Sequence, residues 1–298
     1  VLREPGASRN TSAQSDSPRA ALSDIHPFPA EPELSSAALV LTGRRAGNFN
    51  RAASDLLRFP LPGPDLRALY AFIAEPFPRG SFSEAMTRRN EAIRVIAYQA
   101  PGAPETLDFV LRLLSDEDIE PFVKDFMLQY VPDMVDRLPD MPEQVQSGTD
   151  AAPVAFSGLR QAVAGQLSES GTSLPGTALI CMSRLSEAGR LFDAGTVVEA
   201  AETVAGDTAQ LTSVRATAFQ VAAAGGSAGL LDEALALARS PAVDTRLRMS
   251  CVAFLASSGG TDARDMLALL APEAREAAEN GDPRLYTAVT AAAERLEQ

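Results

Sequence analysis

From residue 65 onward, apolar side chains recur every third or fourth position, the spacing that places them on one face of an α-helix. In "DLRALYAFIAE", Leu66, Leu69, Tyr70 and Ile73 form one such stripe. Pro60, Pro62 and Pro64 precede it, and Asp65 stands as a good N-cap. "SFSEAMTRRNEAIRVIAYQ" opens with Ser81 and Glu84 in capping-box spacing, and its Met86, Ile93, Ile96 and Ala97 share a face. "PETLDFVLRLL" and "IEPFVKDFMLQYV" continue in the same manner. No segment shows the sustained alternation of a strand. The pattern predicts an all-α protein.

Beyond residue 170 the pattern tightens into a repeat. "SVRATAFQVAAAGG" and "RLRMSCVAFLASSGG" end in Gly-Gly pairs 34 residues apart, and Arg215 and Arg248 hold matching early positions 33 apart. A second helical stretch follows each pair, "LLDEALALA" and "RDMLALLA". "GTALICMSRLSEAG" with "GTVVEAAETVA" before them, and "PRLYTAVTAAAERL" after, are weaker members of the series. A period of this size built from helix pairs is the mark of an α-solenoid, in which no pair buries its face alone and neighbours stack. Gly225-Gly226 and Gly259-Gly260 are expected in the turns between helices.

These segments resemble the HEAT-like repeats of the phycobilisome-lyase type, whose first helix carries Val-Arg, small residues and a Gly-containing turn. "SVRATAFQVAAAGGSAGLLDEALALA" and "TRLRMSCVAFLASSGGTDARDMLALLA" carry the likeness, which covers residues 174–298 and, loosely, 65–138. It implies a solenoid of HEAT-like helical hairpins and a habit of protein binding, not a reaction. It also opens a second reading, an accessory factor or lyase-type helper in attaching a prosthetic group.

Residues 1–35 differ from the rest. They are rich in Ser, Pro and Ala and show no period, so an extended or disordered arm is expected. Pro5, Pro18, Pro27, Pro29 and Pro32 keep it out of a helix interior. Ile25 and Phe28 are its main bulky apolar groups, expected to anchor it on this chain's own helices or, preferably, on a partner. Four segments follow: the arm, an N-terminal helical region at 36–138, a linker or long loop at 139–152, and the repeat region at 153–298. The chain begins at Val1 rather than Met, which a removed leader or a trimmed clone would each explain; an extracytoplasmic location is expected over a cytoplasmic one.

Composition supports closely packed helices. Alanine is abundant and only 6% of the residues are aromatic, with no Trp. No apolar run approaches the roughly 20 residues of a membrane span. The net charge of −13 argues against a general nucleic-acid binder. That charge is uneven: residues 36–99 hold nine Arg against five acids, whereas 100–298 hold fourteen basic residues against twenty-nine acids. The pairs Arg44-Arg45 and Arg88-Arg89 therefore read in three ways: a solvated face with local ion pairs, a docking patch for an acidic protein surface or anionic ligand, or a group paired within the chain or with another copy.

Candidate chemistry is sparse. Gly225-Gly226-Ser227-Ala228-Gly229 matches the G-x-S-x-G of a nucleophile elbow, but the preceding segment is a helix rather than a strand. The chain's one histidine, His26, lies in the arm. Ser227 is thus expected to occupy a turn, with little loss of stability on replacement by Ala. "GTSLPGTA" has the glycines of a phosphate loop but Thr177 where Lys belongs. Asp116, Glu117, Asp118 and Glu120 lack the alternating ligands and central Gly of a calcium loop. Cys181 and Cys251 fall on apolar faces and are expected to be free and buried. The sequence thus predicts a non-enzymatic binding or scaffold subunit, with no cofactor or metal and with protein partners in a larger assembly.

Overall fold

The computed structural model describes residues 27–77, 82–138, 154–258 and 260–297. Among them are fourteen α-helices and no strand. In chain order these are α1 (Ser36–Leu41), α2 (Phe49–Arg58), α3 (Gly63–Ala74), α4 (Phe82–Gln99), α5 (Pro104–Ser115), α6 (Pro121–Asp136) and α7 (Val154–Gly165). They continue as α8 (Leu174–Glu187), α9 (Ala194–Gly206), α10 (Thr212–Ala224), α11 (Leu231–Arg239), α12 (Thr245–Ser258), α13 (Gly260–Glu279) and α14 (Arg284–Glu297).

Each even-numbered helix from α2 packs on the next even one, so that α2, α4, α6, α8, α10, α12 and α14 form a continuous series. Odd-numbered helices cover its side: α3 lies on α4, α9 on α8 and α10, α11 on α12, and α13 on α12 and α14. Position in this order explains composition. An even helix such as α10 meets helices on three sides, and Val214, Ala216, Ala218, Phe219, Val221 and Ala222 are all buried. Helix α2 has an apolar stripe on one side only, Ala52, Ala53 and Leu56. Small residues let α10 and α12 approach until Phe219 and Phe254 meet edge to face at 5.6 Å. The resulting apolar core is one connected cluster running from Leu41 to Ala292.

An arginine joins the two kinds of helix at recurrent points. Arg215 near the start of α10 donates its Nε–H to the Ala205 carbonyl in the last turn of α9, at 2.7 Å. Arg248 of α12 does the same to the Ala238 carbonyl of α11, at 2.9 Å. Both reach back ten residues. The last carbonyls of a helix have no intrahelical donor and carry its negative dipole end, so a cation there satisfies both needs. The 33-residue spacing in sequence is therefore a spacing of caps.

Some local expectations shift. Helix α3 begins at Gly63 with Pro62 as N-cap, so Asp65 lies inside its first turn. It is buried there and accepts the Ser35 backbone N–H at 2.9 Å, while Ser35 itself caps α1 through the Ala38 N–H. Helix α6 runs on through Pro132, and α13 through Pro272. Gly225 ends α10 and Gly226 takes a φ of +73°, as a helix-stopping turn requires. Gly260 instead opens α13; Gly259 lies outside the described residues. Ser81 and the 139–152 segment also lie outside them.

Candidate functional site

Phe28 and all four singled-out arginines gather where α1, α3 and α4 meet. Ile25 lies outside the described residues. Phe28 is half-buried, with the Arg44 guanidinium 4.4 Å above its ring. Arg44 also pairs with Glu75 at the end of α3, both about two-fifths exposed, so the bridge contributes little in water. Phe28 thus meets this chain at Arg44, in the turn that follows α1. Arg45 stays on the surface and donates to the Ser36 hydroxyl at 3.1 Å.

The second pair turns inward. Arg88 chelates Glu84 one helical turn earlier, at 2.9 and 2.6 Å, and donates to the Val40 carbonyl near the end of α1. Its side chain is only 13% exposed and stacks over Phe49 at 4.9 Å. Arg89 is 1% exposed. Its Nε–H points to the Phe72 carbonyl at 3.3 Å, and Nη2 donates to the carbonyls of Glu75 and Pro76. This is the device of Arg215 and Arg248 again, a cation at the end of the preceding helix. The guanidinium lies 3.6 Å from the Phe77 ring centroid and 5.4 Å from that of Phe72. Burial lowers its pKa to about 10, with Glu75 and Glu120 pulling the other way. It therefore remains charged at neutral pH. Its Nη1 is buried with no hydrogen-bond partner.

A cavity of about 340 Å³ opens beside these groups, lined by Thr42, Arg44, Glu75, Glu84, Arg88 and Arg89, among others. A second, of about 320 Å³, lies across Glu75-Pro76-Phe77 and is bordered by Asp116, Asp118 and Glu120. The acidic run is thus partly a cavity rim. Among the described residues no His, Cys, Asp and Glu cluster has the arrangement to hold a metal ion.

The remaining candidates are placed by their contacts. Ser227 is buried, donates its hydroxyl to Glu202 of α9, and accepts the Gly229 N–H at 3.2 Å. It is a turn residue, but one that ties the turn to the neighbouring helix, which corrects the expectation of a minor role. Gly225 and Gly229 are small for the same reason. A Cβ at Gly225 would lie 2.3 Å from a methyl of Val198, and one at Gly229 2.6 Å from the Glu202 carboxylate. Thr177 bonds the Asp125 carboxylate, as does Ser173 at 3.3 Å, and an anion beside that loop would repel phosphate. Both cysteines are free and buried, and burial raises both thiol pKa values, that of Cys251 to about 12.

Sequence reasoning missed Glu75 and Phe77, and it gave Asp65 only as a helix start. Each earns its place through a partner far along the chain or, for Phe77, through a ring that only the fold brings over Arg89. The one available signal was the excess of arginine over acid in residues 36–99. No protein-family model, no curated protein and no solved structure matches the chain.

Proposed function

We propose that the chain is a non-enzymatic binding subunit, a HEAT-like helical solenoid that holds protein partners within a larger assembly. The carrying observation is the continuous even-numbered series. Each interior helix of that series packs on the even helices before and after it and on at least one odd helix, as stacked helix pairs would. Exposed apolar groups occur on its helices: Ile180 on α8, Met249 on α12 and Tyr286 on α14. Large exposed apolar groups suit protein association. The recurrent arginine cap supports reading the helix pairs as repeats. No helix is long and apolar enough to cross a membrane among the described residues.

The test is affinity capture from the native source with wild-type protein and with an Ile180→Glu, Met249→Glu, Tyr286→Glu triple variant. Circular dichroism establishes that the variant keeps its helices. Loss of specific partners from the folded variant is the expected result. Retention of every partner, or a catalytic turnover in the purified chain, would overturn the reading.

A further inference from the structure

We propose that the cavity between the ends of α1 and α3 and the flank of α4 binds a monocarboxylate, whose carboxylate is held by the guanidinium groups of Arg89 and Arg44. The inference deepens the binding-subunit reading by naming a ligand chemistry for its N-terminal corner.

Charge balance points first to this site. Of the three arginines lining the cavity, Arg44 is paired with Glu75 and Arg88 with Glu84. Arg89 is bonded only to neutral carbonyls, those of Phe72, Glu75 and Pro76. One cation is left without a carboxylate in contact, and it is 1% exposed. A buried charge without a counter-ion is unfavourable, and one anion would offset it.

Hydrogen-bonding capacity points the same way. A guanidinium presents five N–H donors in a planar fork suited to carboxylate. Nε and Nη2 of Arg89 are engaged, while Nη1 is buried and unbonded in a residue that lines the cavity. Phe72, Pro76 and Ala85 add apolar wall. A volume of about 340 Å³ lies at the lower end of small-ligand pockets, which begin near 300 Å³. The ligand is thus a small acid with an apolar body, or the acidic side chain of a bound protein. Glu75 and Glu84 on the same walls select against a dianion, because the second negative charge faces carboxylates rather than a free cation.

The experiment titrates the full chain with benzoate, with the uncharged benzamide and with inorganic phosphate at pH 8, following the Arg Nε–H signals by NMR and the heat by calorimetry. Two short peptides, alike except for one Glu or Gln between apolar residues, form a second arm. Benzoate should bind at least about tenfold more tightly than benzamide or phosphate, and the Glu peptide more tightly than its Gln twin if the acid belongs to a protein. Arg44→Gln should weaken benzoate binding about tenfold, as should Arg89→Lys. Arg89 also holds the end of α3, so Arg44→Gln, which leaves those bonds in place, keeps the test decisive if Arg89→Lys misfolds. Equal binding of benzoate and benzamide, tighter binding of phosphate, or wild-type affinity in Arg44→Gln would overturn the proposal. None of these measurements involves a protein partner from the native source, so their failure is separate from failure of the binding-subunit reading.

Discussion

Replacing Arg215 and Arg248 by Met, one at a time, tests whether the recurrent arginine holds consecutive helix pairs together. Met keeps much of the apolar stem, so loss of packing is small and the polar contacts dominate the effect. Each substitution removes a charge-assisted hydrogen bond from a buried donor to a helix-terminal carbonyl, at 2.7 Å for Arg215 and 2.9 Å for Arg248. Such a bond contributes about 1.5–3 kcal/mol. Arg215 also pairs with Glu233 at 2.9 Å, where the arginine side chain is 10% exposed and the glutamate 34%. Solvent screening limits that pair to about 1 kcal/mol or less. Arg248→Met should therefore cost about 1.5–3 kcal/mol and Arg215→Met about 2–4 kcal/mol. Glu233→Gln should lose only the smaller part, about 1 kcal/mol at most. Urea unfolding followed by far-ultraviolet circular dichroism gives the total. Stacked helices need not unfold in one step, so amide hydrogen exchange supplies the local readout. Arg215→Met should speed exchange in the last turn of α9, and Arg248→Met in the last turn of α11. Stabilities within about 0.5 kcal/mol of wild type, or faster exchange at the other helix's end, would refute the capping argument.

Three further outcomes are expected. Ser227→Ala strips a buried hydroxyl from Glu202 and from the Gly229 N–H, and should lower stability by about 1–3 kcal/mol; an unchanged urea midpoint would return Ser227 to a bystander. Gly225→Ala drives a methyl into Val198 and should cost about 1–3 kcal/mol, largely recovered in a Gly225→Ala, Val198→Ala double variant; no recovery would place the cost elsewhere. Cys181 and Cys251 should resist a thiol reagent in the native protein and both react once it is unfolded. Their native pKa values lie above the ordinary 9.0, about 12 for Cys251, so above pH 9 the unfolded chain releases protons that the folded chain keeps. Stability from these thiols is complete below about pH 9 and falls as pH rises towards about 12, and urea midpoints across that range that rise instead would contradict their burial.

The sequence by itself determined that this chain is helical and where most helices lie, because a 3.6-residue apolar period is a local property that any buried stripe must satisfy. It singled out Arg215 and Arg248 by their spacing, and each donates to a carbonyl ten residues back at the end of the preceding helix. It also disposed of the elbow motif, because a helix precedes Ser227. What only the tertiary structure decided is the partner of each polar group. Arg44, Arg45, Arg88 and Arg89 are alike in sequence, yet Arg45 is solvated, Arg44 bridges to Glu75, Arg88 is folded against α1, and Arg89 is enclosed at the end of α3. That sorting depends on which helix ends are carried to α4 by contacts tens of residues apart. Asp65 reads as a helix start but lies inside the first turn of α3, where Pro62 holds the N-cap position and the Ser35 N–H is brought to its carboxylate. Ser227 reads as a dispensable turn until α9 places Glu202 beside it. Periodicity encodes which side of a helix is buried; it carries no record of which helix arrives there, and the cavity at Arg89 exists only because three of them do.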